Sequence, residues 1–580
     1  MARSTRRGRR RFLAQFPCAV AAGLAAPSLA ADDDANSRTA GGPADAITTD
    51  MLASAQTVAG VALPVQELEQ ARVLVERNRA NIDLLREVAV PSTTEPAFAF
   101  LPPRPPGADA GRAAAPALQA VTTAAVRPPR LEELAFAPVE RLAALVKARR
   151  VSSVELTGMY LDRLSRADRT LHCVVTLTDA LARDQAAAAD RDIAEGRYRG
   201  PLHGLPYGIK DLFATKDIPT TWGAQPYRTQ VFDYDATVVT RLRDAGAVLV
   251  AKLTSGELAV GDLCFGGRTR NPWRPDQGSS GSSAGPASAT AAGLVAFAIG
   301  TETGGSIISP CATCGVVGLR PTYGRVPRTG CMTLRWTLDK VGPIARGVRD
   351  AALVLQAIAG PDGADRTVPD LPLTWDGGDR LSGMRVGVVA RELDDLPADA
   401  TEDERASWPA RQARLRAAID VVRGLGASIV PMALPALPAS AVYAILNAEA
   451  GAMFDELVRG GGINQLADTG PNGRANQLRA ARFIPAVEYI RAQRVRTLLA
   501  AEVDALFGQV DVFLAPSSSA SVTITNLTGH PAAVVPAGLA GGLPVGLMVT
   551  GPLWREDQVL RTAAGFESAT TWHTEHPPTG

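Results

Sequence analysis

Residues 271–324 constrain this chain more than any other stretch. They hold Gly281-Ser282-Ser283-Ala284-Gly285, an Ala-rich run, an apolar run at 294–299, and then Gly300-Thr301-Glu302-Thr303-Gly304-Gly305-Ser306. An apolar strand that ends in Thr-Gly-Gly-Ser sets a hydroxyl at a tight turn. The two glycines let successive backbone N–H groups converge with no Cβ between them. Such a nest is what an oxyanion hole requires, because fixed donors stabilise a carbonyl oxygen as it becomes negative. A Gly-rich turn alone has many structural uses, so the catalytic reading also needs a base for the serine.

The usual base is histidine. This chain has five, His172, His203, His530, His573 and His576, and two of them fall in the last eight residues. None lies in a partner motif, and His530 beside Pro531 reads as a structural turn residue. A lysine serves instead if burial keeps it neutral. Lys210 closes the stretch Gly204-Leu205-Pro206-Tyr207-Gly208-Ile209, which is otherwise apolar up to Asp211. By composition alone Lys210 suits a surface position or an ion pair with Asp211. Glu302 and Asp211 read as organisers of hydrogen bonds. Gly281-x-Ser283-x-Gly285 also fits a nucleophile elbow centred on Ser283. That elbow needs an apolar strand before it, and Asn271-Pro272-Trp273-Arg274-Pro275-Asp276-Gln277 cannot be a buried central strand.

The rest of the chain supplies a frame. Amphipathic segments at 139–149, 154–166 and 410–425 alternate with short apolar runs at 248–250, 294–299, 386–389, 429–430 and 512–514. Helices alternating with such strands predict an α/β layer structure with a buried, largely parallel sheet. Ahead of it, residues 62–88 predict a helix with Leu68, Val75, Ile82 and Leu85 on one stripe, suited either to dock on the body or to mediate association. Residues 91–130 are rich in Pro and Ala and read as an extended linker.

The N-terminus reads as a targeting segment. Arg9-Arg10-Arg11-Phe12-Leu13 precedes an apolar run and the small residues Ser28-Leu29-Ala30-Ala31, a twin-arginine pattern. The expectation is cleavage near Ala30 or Ala31 and an exported (periplasmic or secreted) mature protein. The formal charge of +1 includes six arginines before the first acid, Asp32, so the body carries −5. A mildly acidic body without a basic stripe is a poor match for nucleic acid. No later run is long enough to span a membrane. Five cysteines lie beyond the signal, Cys173, Cys264, Cys311, Cys314 and Cys331. Cys311-x-x-Cys314 allows a disulfide, but two small core residues is the preferred reading. Zinc is disfavoured for want of a second ligand pair.

Taken together, the segments resemble the amidase signature family. The resemblance runs from about Leu131 to about Phe566, through Gly208-Ile209-Lys210-Asp211, Asn271-Pro272-Trp273, Gly281-Ser282-Ser283 with Gly285, and residues 300–306. It continues through Cys314-Gly315-Val316-Val317-Gly318-Leu319-Arg320-Pro321-Thr322-Tyr323-Gly324-Arg325-Val326, residues 526–531, and Gly542-Leu543-Pro544-Val545-Gly546-Leu547. It implies one α/β domain, about 131–573, with a twisted mixed sheet covered by helices, preceded by a signal (1–31) and an N-terminal extension (32–130). It implies hydrolysis of a carboxylic amide to acid and amine without metal or cofactor. In that scheme Ser306 is the nucleophile, Lys210 the base and Ser282, after a cis peptide, the relay. The N–H groups of Thr303, Gly304, Gly305 and Ser306 form the oxyanion hole. The expected partner is a small-molecule amide. The alternatives are an ester- or carbamate-preferring hydrolase on the same triad and a catalytically silent binding protein. Three departures stand out: Ser280 and Ala284 replace glycines and Pro286 a serine, Ile307-Ile308-Ser309 lacks a common arginine, and Cys311 replaces a smaller residue. Trp222, Tyr443, Phe454 and Tyr489 are candidate pocket residues, with pocket walls expected from residues 439–491.

Overall fold

A computed structural model describes residues 46–98, 100–102, 126–396 and 402–578. The expected export signal and residues 103–125 of the expected linker lie outside the described residues. The elements below belong to the unit that begins at Ile47.

Eleven strands form one sheet: β1 (Val174–Leu177), β2 (Pro206–Lys210), β3 (Val248–Leu253), β4 (Phe297–Glu302), β5 (Val317–Arg320), β6 (Lys340–Ala345), β7 (Arg385–Val389), β8 (Ser428–Met432), β9 (Val512–Pro516), β10 (Ala532–Ala540) and β11 (Leu543–Thr550). Their order is β1-β3-β2-β4-β6-β5-β10-β11-β9-β7-β8. Neighbouring residues on a strand enter opposite faces. Ile299 and Val535 join one apolar cluster while Ala298 and Val534 join another. The helices covering the two faces complete those clusters.

The five apolar runs singled out above all belong to strands of this sheet, although the run at 294–299 supplies only the first half of β4. The sheet is mixed, as the resemblance implies, so the largely parallel sheet expected from helix–strand alternation needs correction. β3, β2 and β4 run parallel inside the edge strand β1, which is antiparallel to β3, and β9, β7 and β8 run parallel at the other end. Every pairing from β4 through β6, β5, β10 and β11 to β9 is antiparallel. Parallel neighbours need a long crossover. The middle strands are joined more tightly, β10 to β11 by Gly541-Gly542 alone, with φ of +59° and +78°. Two left-handed residues are what a two-residue hairpin turn requires.

Helices α1 (Thr49–Val58) and α2 (Val65–Glu87) precede the sheet, followed by α3 (Val139–Lys147), α4 (Ser153–Leu171), α5 (Ala284–Ala291) and α6 (Ile308–Cys314). Further along come α7 (Glu402–Gly424), α8 (Ala439–Ile445), α9 (Asn447–Met453), α10 (Arg474–Ala481), α11 (Ala486–Leu506) and α12 (Ala520–Leu527). The stripe Leu68, Val75, Ile82, Leu85 is buried throughout. It packs on α8, α10 and α11, so α2 docks on the body. Glu67 pairs with Arg479 at 2.9 Å and Arg86 with Glu488 at 2.6 Å.

Within the expected extended linker, residues 91–98 and 100–102 make contacts with the body. Arg494 donates to the Thr94 carbonyl at 2.9 Å and Thr497 to that of Glu95 at 2.7 Å. The Arg496 guanidinium lies 3.9 Å from the centre of the Phe100 ring. The segment is therefore strapped along α11. Proline-rich composition marks a chain that lacks regular hydrogen bonds, and here a helix surface supplies them instead.

Candidate active site

Lys210 ends β2, a strand buried at all five positions and flanked on both sides. Its side chain is fully buried, and its Nζ lies 2.8 Å from Ser282 Oγ, 2.8 Å from Thr301 Oγ1 and 3.2 Å from Ser283 Oγ. Its hydrogen-bond partners are three hydroxyls, and the Asp339 and Glu302 carboxylates favour the charged form less than burial opposes it. Burial brings Lys210 down to about 7 from the ordinary 10.5. Asp211 is not its partner. The Asp211 carboxylate instead pairs with Lys252 at 3.0 Å and accepts from the Thr221 N–H at 2.9 Å.

The Gly281–Ser282 peptide is cis. Ser280 holds φ +61°, a left-handed conformation suited to glycine, so its side chain is carried there at some strain. Ser282 and Ser283 are both buried. Ser283 Oγ donates to the Thr301 carbonyl at 3.1 Å and accepts from the Thr301 N–H at 3.2 Å, while its N–H donates to the Ser306 carbonyl at 3.1 Å. A hydroxyl so engaged braces two loops rather than facing a substrate. The segment before it, Arg274–Gly278, pairs only with Arg270–Asn271, outside the main sheet. Ser283 is thus not at a nucleophile elbow.

β4 stops at Glu302, and the nest follows. The buried Glu302 carboxylate accepts from the N–H groups of Ile307 at 2.7 Å and Ile308 at 2.8 Å, and from Arg320 and Asn526, each at 2.8 Å. It fixes the turn just after Ser306 and the start of α6, with Arg320 balancing its charge. Thr303 Oγ1 donates to Asp339 at 2.6 Å, and the same carboxylate accepts from the Leu334 and Arg335 N–H groups. Gly305 takes φ +122°, open to glycine and strained for other residues. A Cβ on Gly304 would lie 2.2 Å from the Tyr443 hydroxyl, so α8 closes over the nest. Ser306 is half-buried, while Ser282 and Lys210 are buried.

The structure thus brings Lys210 and Ser282 into contact and joins the Ser282–Ser283 loop to Ser306 through the backbone. Of the aromatic candidates, Tyr443 reaches the nest. Trp222 and Phe454 instead pack on each other, with centroids 6.4 Å apart. His530 is a buried turn residue bonded to Thr528 and held near 3 by burial, as its place beside Pro531 suggests. Cys311 and Cys314 are buried free thiols. Sequence reasoning missed Thr301 and Asp339. Thr301 lies two residues after Ile299, on the same face of β4, the one available signal, whereas Asp339 lies 36 residues from Thr303 with nothing local to mark it.

A mixed-sheet α/β fold with a buried lysine, brought down to about 7, against a Ser-Ser loop that is bonded to a Gly-Gly-Ser turn makes a candidate hydrolase-type site. The family described as Amidase matches residues 155–560. The chain belongs to this family, the amidase signature enzymes. It is 36% identical over 481 residues to a glutamyl-tRNA(Gln) amidotransferase subunit of Roseiflexus sp., covering 74% of this chain and 95% of that one. The corresponding protein of Methylococcus capsulatus, which bears the same name, is 36% identical over 486 residues, covering 75% and 97%. Among solved structures, the peptide amidase of Stenotrophomonas maltophilia aligns with a TM-score of 0.67 at 31% identity, over 77% of this chain and 99% of that one. A bacterial aryl acylamidase aligns at 0.66 and 25%, over 76% and 98%.

Proposed function

We propose that this chain is an exported amidase that cleaves a carboxylic amide through an acyl-enzyme on Ser306. Lys210, neutral at working pH, takes a proton from Ser282, and Ser282 takes one from Ser306 as its Oγ attacks the carbonyl carbon. The oxyanion is met by the N–H groups of Thr303, Gly304, Gly305 and Ser306. Lys210 then returns the proton through Ser282 to the leaving nitrogen, a step amide cleavage requires because an amide anion is a very poor leaving group. Water, activated by the same relay, releases the acid. The observation that carries the reading is the fully buried lysine, held at about 7, with its Nζ 2.8 Å from Ser282.

The relatives include amidotransferase components as well as hydrolases. The twin-arginine pattern and the −5 body favour a free-standing hydrolase acting on a small amide over a partner of charged tRNA. The residues ahead of Leu131 are read as a signal and an appended extension. A fluorophosphonate probe tests the nucleophile. A single adduct on the Ser306 peptide is expected, and an adduct elsewhere or none at all counts against the mechanism. Paired rates on an anilide and its phenyl ester distinguish an amidase from an ester-preferring enzyme.

A further inference from the structure

A neutral lysine amine has two protons to give and one lone pair to offer. Three hydroxyls lie within reach of Lys210 Nζ, Ser282 and Thr301 at 2.8 Å and Ser283 at 3.2 Å. The amine gives a proton to two of them and receives one from the third, and the choice decides whether the base faces the relay. We propose that Thr301 is a positioning residue of the reaction: its hydroxyl accepts one Lys210 proton, Ser283 accepts the other, and the lone pair is left aimed at Ser282. The inference rests on the amidase reading and deepens it.

The part played by Ser283 follows from its other bonds. A hydroxyl has one proton to donate and two lone pairs. The Ser283 proton goes to the Thr301 carbonyl at 3.1 Å, and one lone pair accepts from the Thr301 N–H at 3.2 Å. Lys210 meets the remaining lone pair, so Ser283 takes a proton from the amine and gives it none. Ser282 and Thr301 are left to compete for the single lone pair of the lysine. Among the described residues, each of these two hydroxyls is hydrogen-bonded only to Lys210.

Their surroundings separate them. Thr301 is fixed in the buried strand β4, with its N–H and carbonyl both tied to Ser283. Its branched side chain has few rotamers open to it. Thr301 also lines a small cleft with Thr303 and Asp339, whose oxygens give the threonine proton a polar side to turn to. Were Thr301 to give its proton to the amine instead, the lone pair would be occupied and Ser282 would have no base. Glu302, Asp339 and the Cys331 thiol are the titratable groups that act on Lys210, and none of them is hydrogen-bonded to it among the described residues. They influence its charge, whereas the three hydroxyls set its direction.

The test compares the full-length parent with Thr301→Val, which keeps the branched shape without the hydroxyl, and Thr301→Ser, which keeps the hydroxyl. In anilide hydrolysis followed from pH 5 to 9, Thr301→Val is expected to lower kcat on the order of tenfold with KM little changed, and Thr301→Ser to recover most of the loss. The profile separates direction from looser packing. The charged amine loses an acceptor in Thr301→Val, so the inflection moves below that of the parent, by roughly half a pH unit. A site merely loosened admits water, which moves the inflection up towards the ordinary 10.5. A second readout does not depend on turnover. The chain has five lysines, Lys147, Lys210, Lys216, Lys252 and Lys340. The Lys210 signal of a carbon-labelled lysine spectrum is therefore identified by its loss in Lys210→Met, and its titration should fall in Thr301→Val and return in Thr301→Ser. Thr301→Val as fast as the parent, Thr301→Ser no faster than Thr301→Val, or a Lys210 that titrates in Thr301→Val at or above the parent's value overturns the proposal and leaves the amidase reading intact. If the parent hydrolyses no anilide, it is the amidase reading that suffers, and the titration still decides the bond. A fall in Thr301→Val upholds it, and no fall overturns it.

Discussion

Lowering the pH from 9 to 5 should switch this enzyme off through one group. Burial holds Lys210 at about 7 against the ordinary 10.5. At pH 7 about half the molecules then carry a neutral amine, against roughly one in 3,000 for an unperturbed lysine, a gain on the order of a thousandfold in available base. Anilide hydrolysis followed from pH 5 to 9 should show kcat/KM rising about tenfold per unit below 7 and levelling above it. The same proton enters stability. The folded value lies below the unfolded one, so between about 7 and 10.5 the unfolded chain binds the extra proton, and stability rises with pH across that window. From pH 7 to 9 this contributes about 2 kcal/mol. Below 7 Lys210 is protonated in both states and its contribution is constant. Urea unfolding at pH 7 and 9, beside Lys210→Met, isolates that increment, because the variant lacks it. A rate profile without an inflection between pH 6 and 8, or an increment that survives in Lys210→Met, would refute the claim that desolvation makes this lysine a base.

Two further outcomes follow from the same geometry. Glu302→Gln leaves Arg320 buried with no carboxylate and turns one amide edge against donors, so urea unfolding should show a loss of about 3–5 kcal/mol. Gly304→Ala would place a Cβ 2.2 Å from the Tyr443 hydroxyl and 2.6 Å from Tyr443 Cζ. Displacing the nest by about 1 Å should lower kcat on the order of a hundredfold, and adding Tyr443→Ala should bring the stability back to that of Tyr443→Ala alone.

Much of this site is legible in the chain because its chemistry sits in short segments. Lys210 lies in a stretch otherwise apolar up to Asp211, although by composition alone it suits a surface position, Ser282 lies in a Gly-Ser loop, and Ser306 where an apolar run meets two glycines. Those segments need only to be ordered. What stays hidden is supplied from a distance. Thr301 reaches Lys210 across 91 residues, Asp339 holds Thr303 from the segment just before β6, and Tyr443, a candidate pocket residue by sequence, is brought to Gly304 by a contact that nothing local in residues 439–445 marks. The fold divides the same way. The two parallel runs, β3-β2-β4 and β9-β7-β8, follow from helix–strand alternation. The antiparallel centre depends on pairings among β5, β6, β10 and β11, whose registers no local pattern encodes. The strapped residues 91–98 read only as part of an extended linker for the same reason, since their partners on α11 lie some 400 residues away.

The central claim is that Lys210, Ser282 and Ser306 work as one unit to cleave an amide. The most direct test is hydrolysis of a panel of anilides and primary amides by the parent chain, Ser306→Ala and Lys210→Ala, each shown to be folded by circular dichroism and urea unfolding. The account predicts turnover in the parent and its loss, by at least about a thousandfold, in both variants. Turnover that persists in folded Ser306→Ala would contradict it.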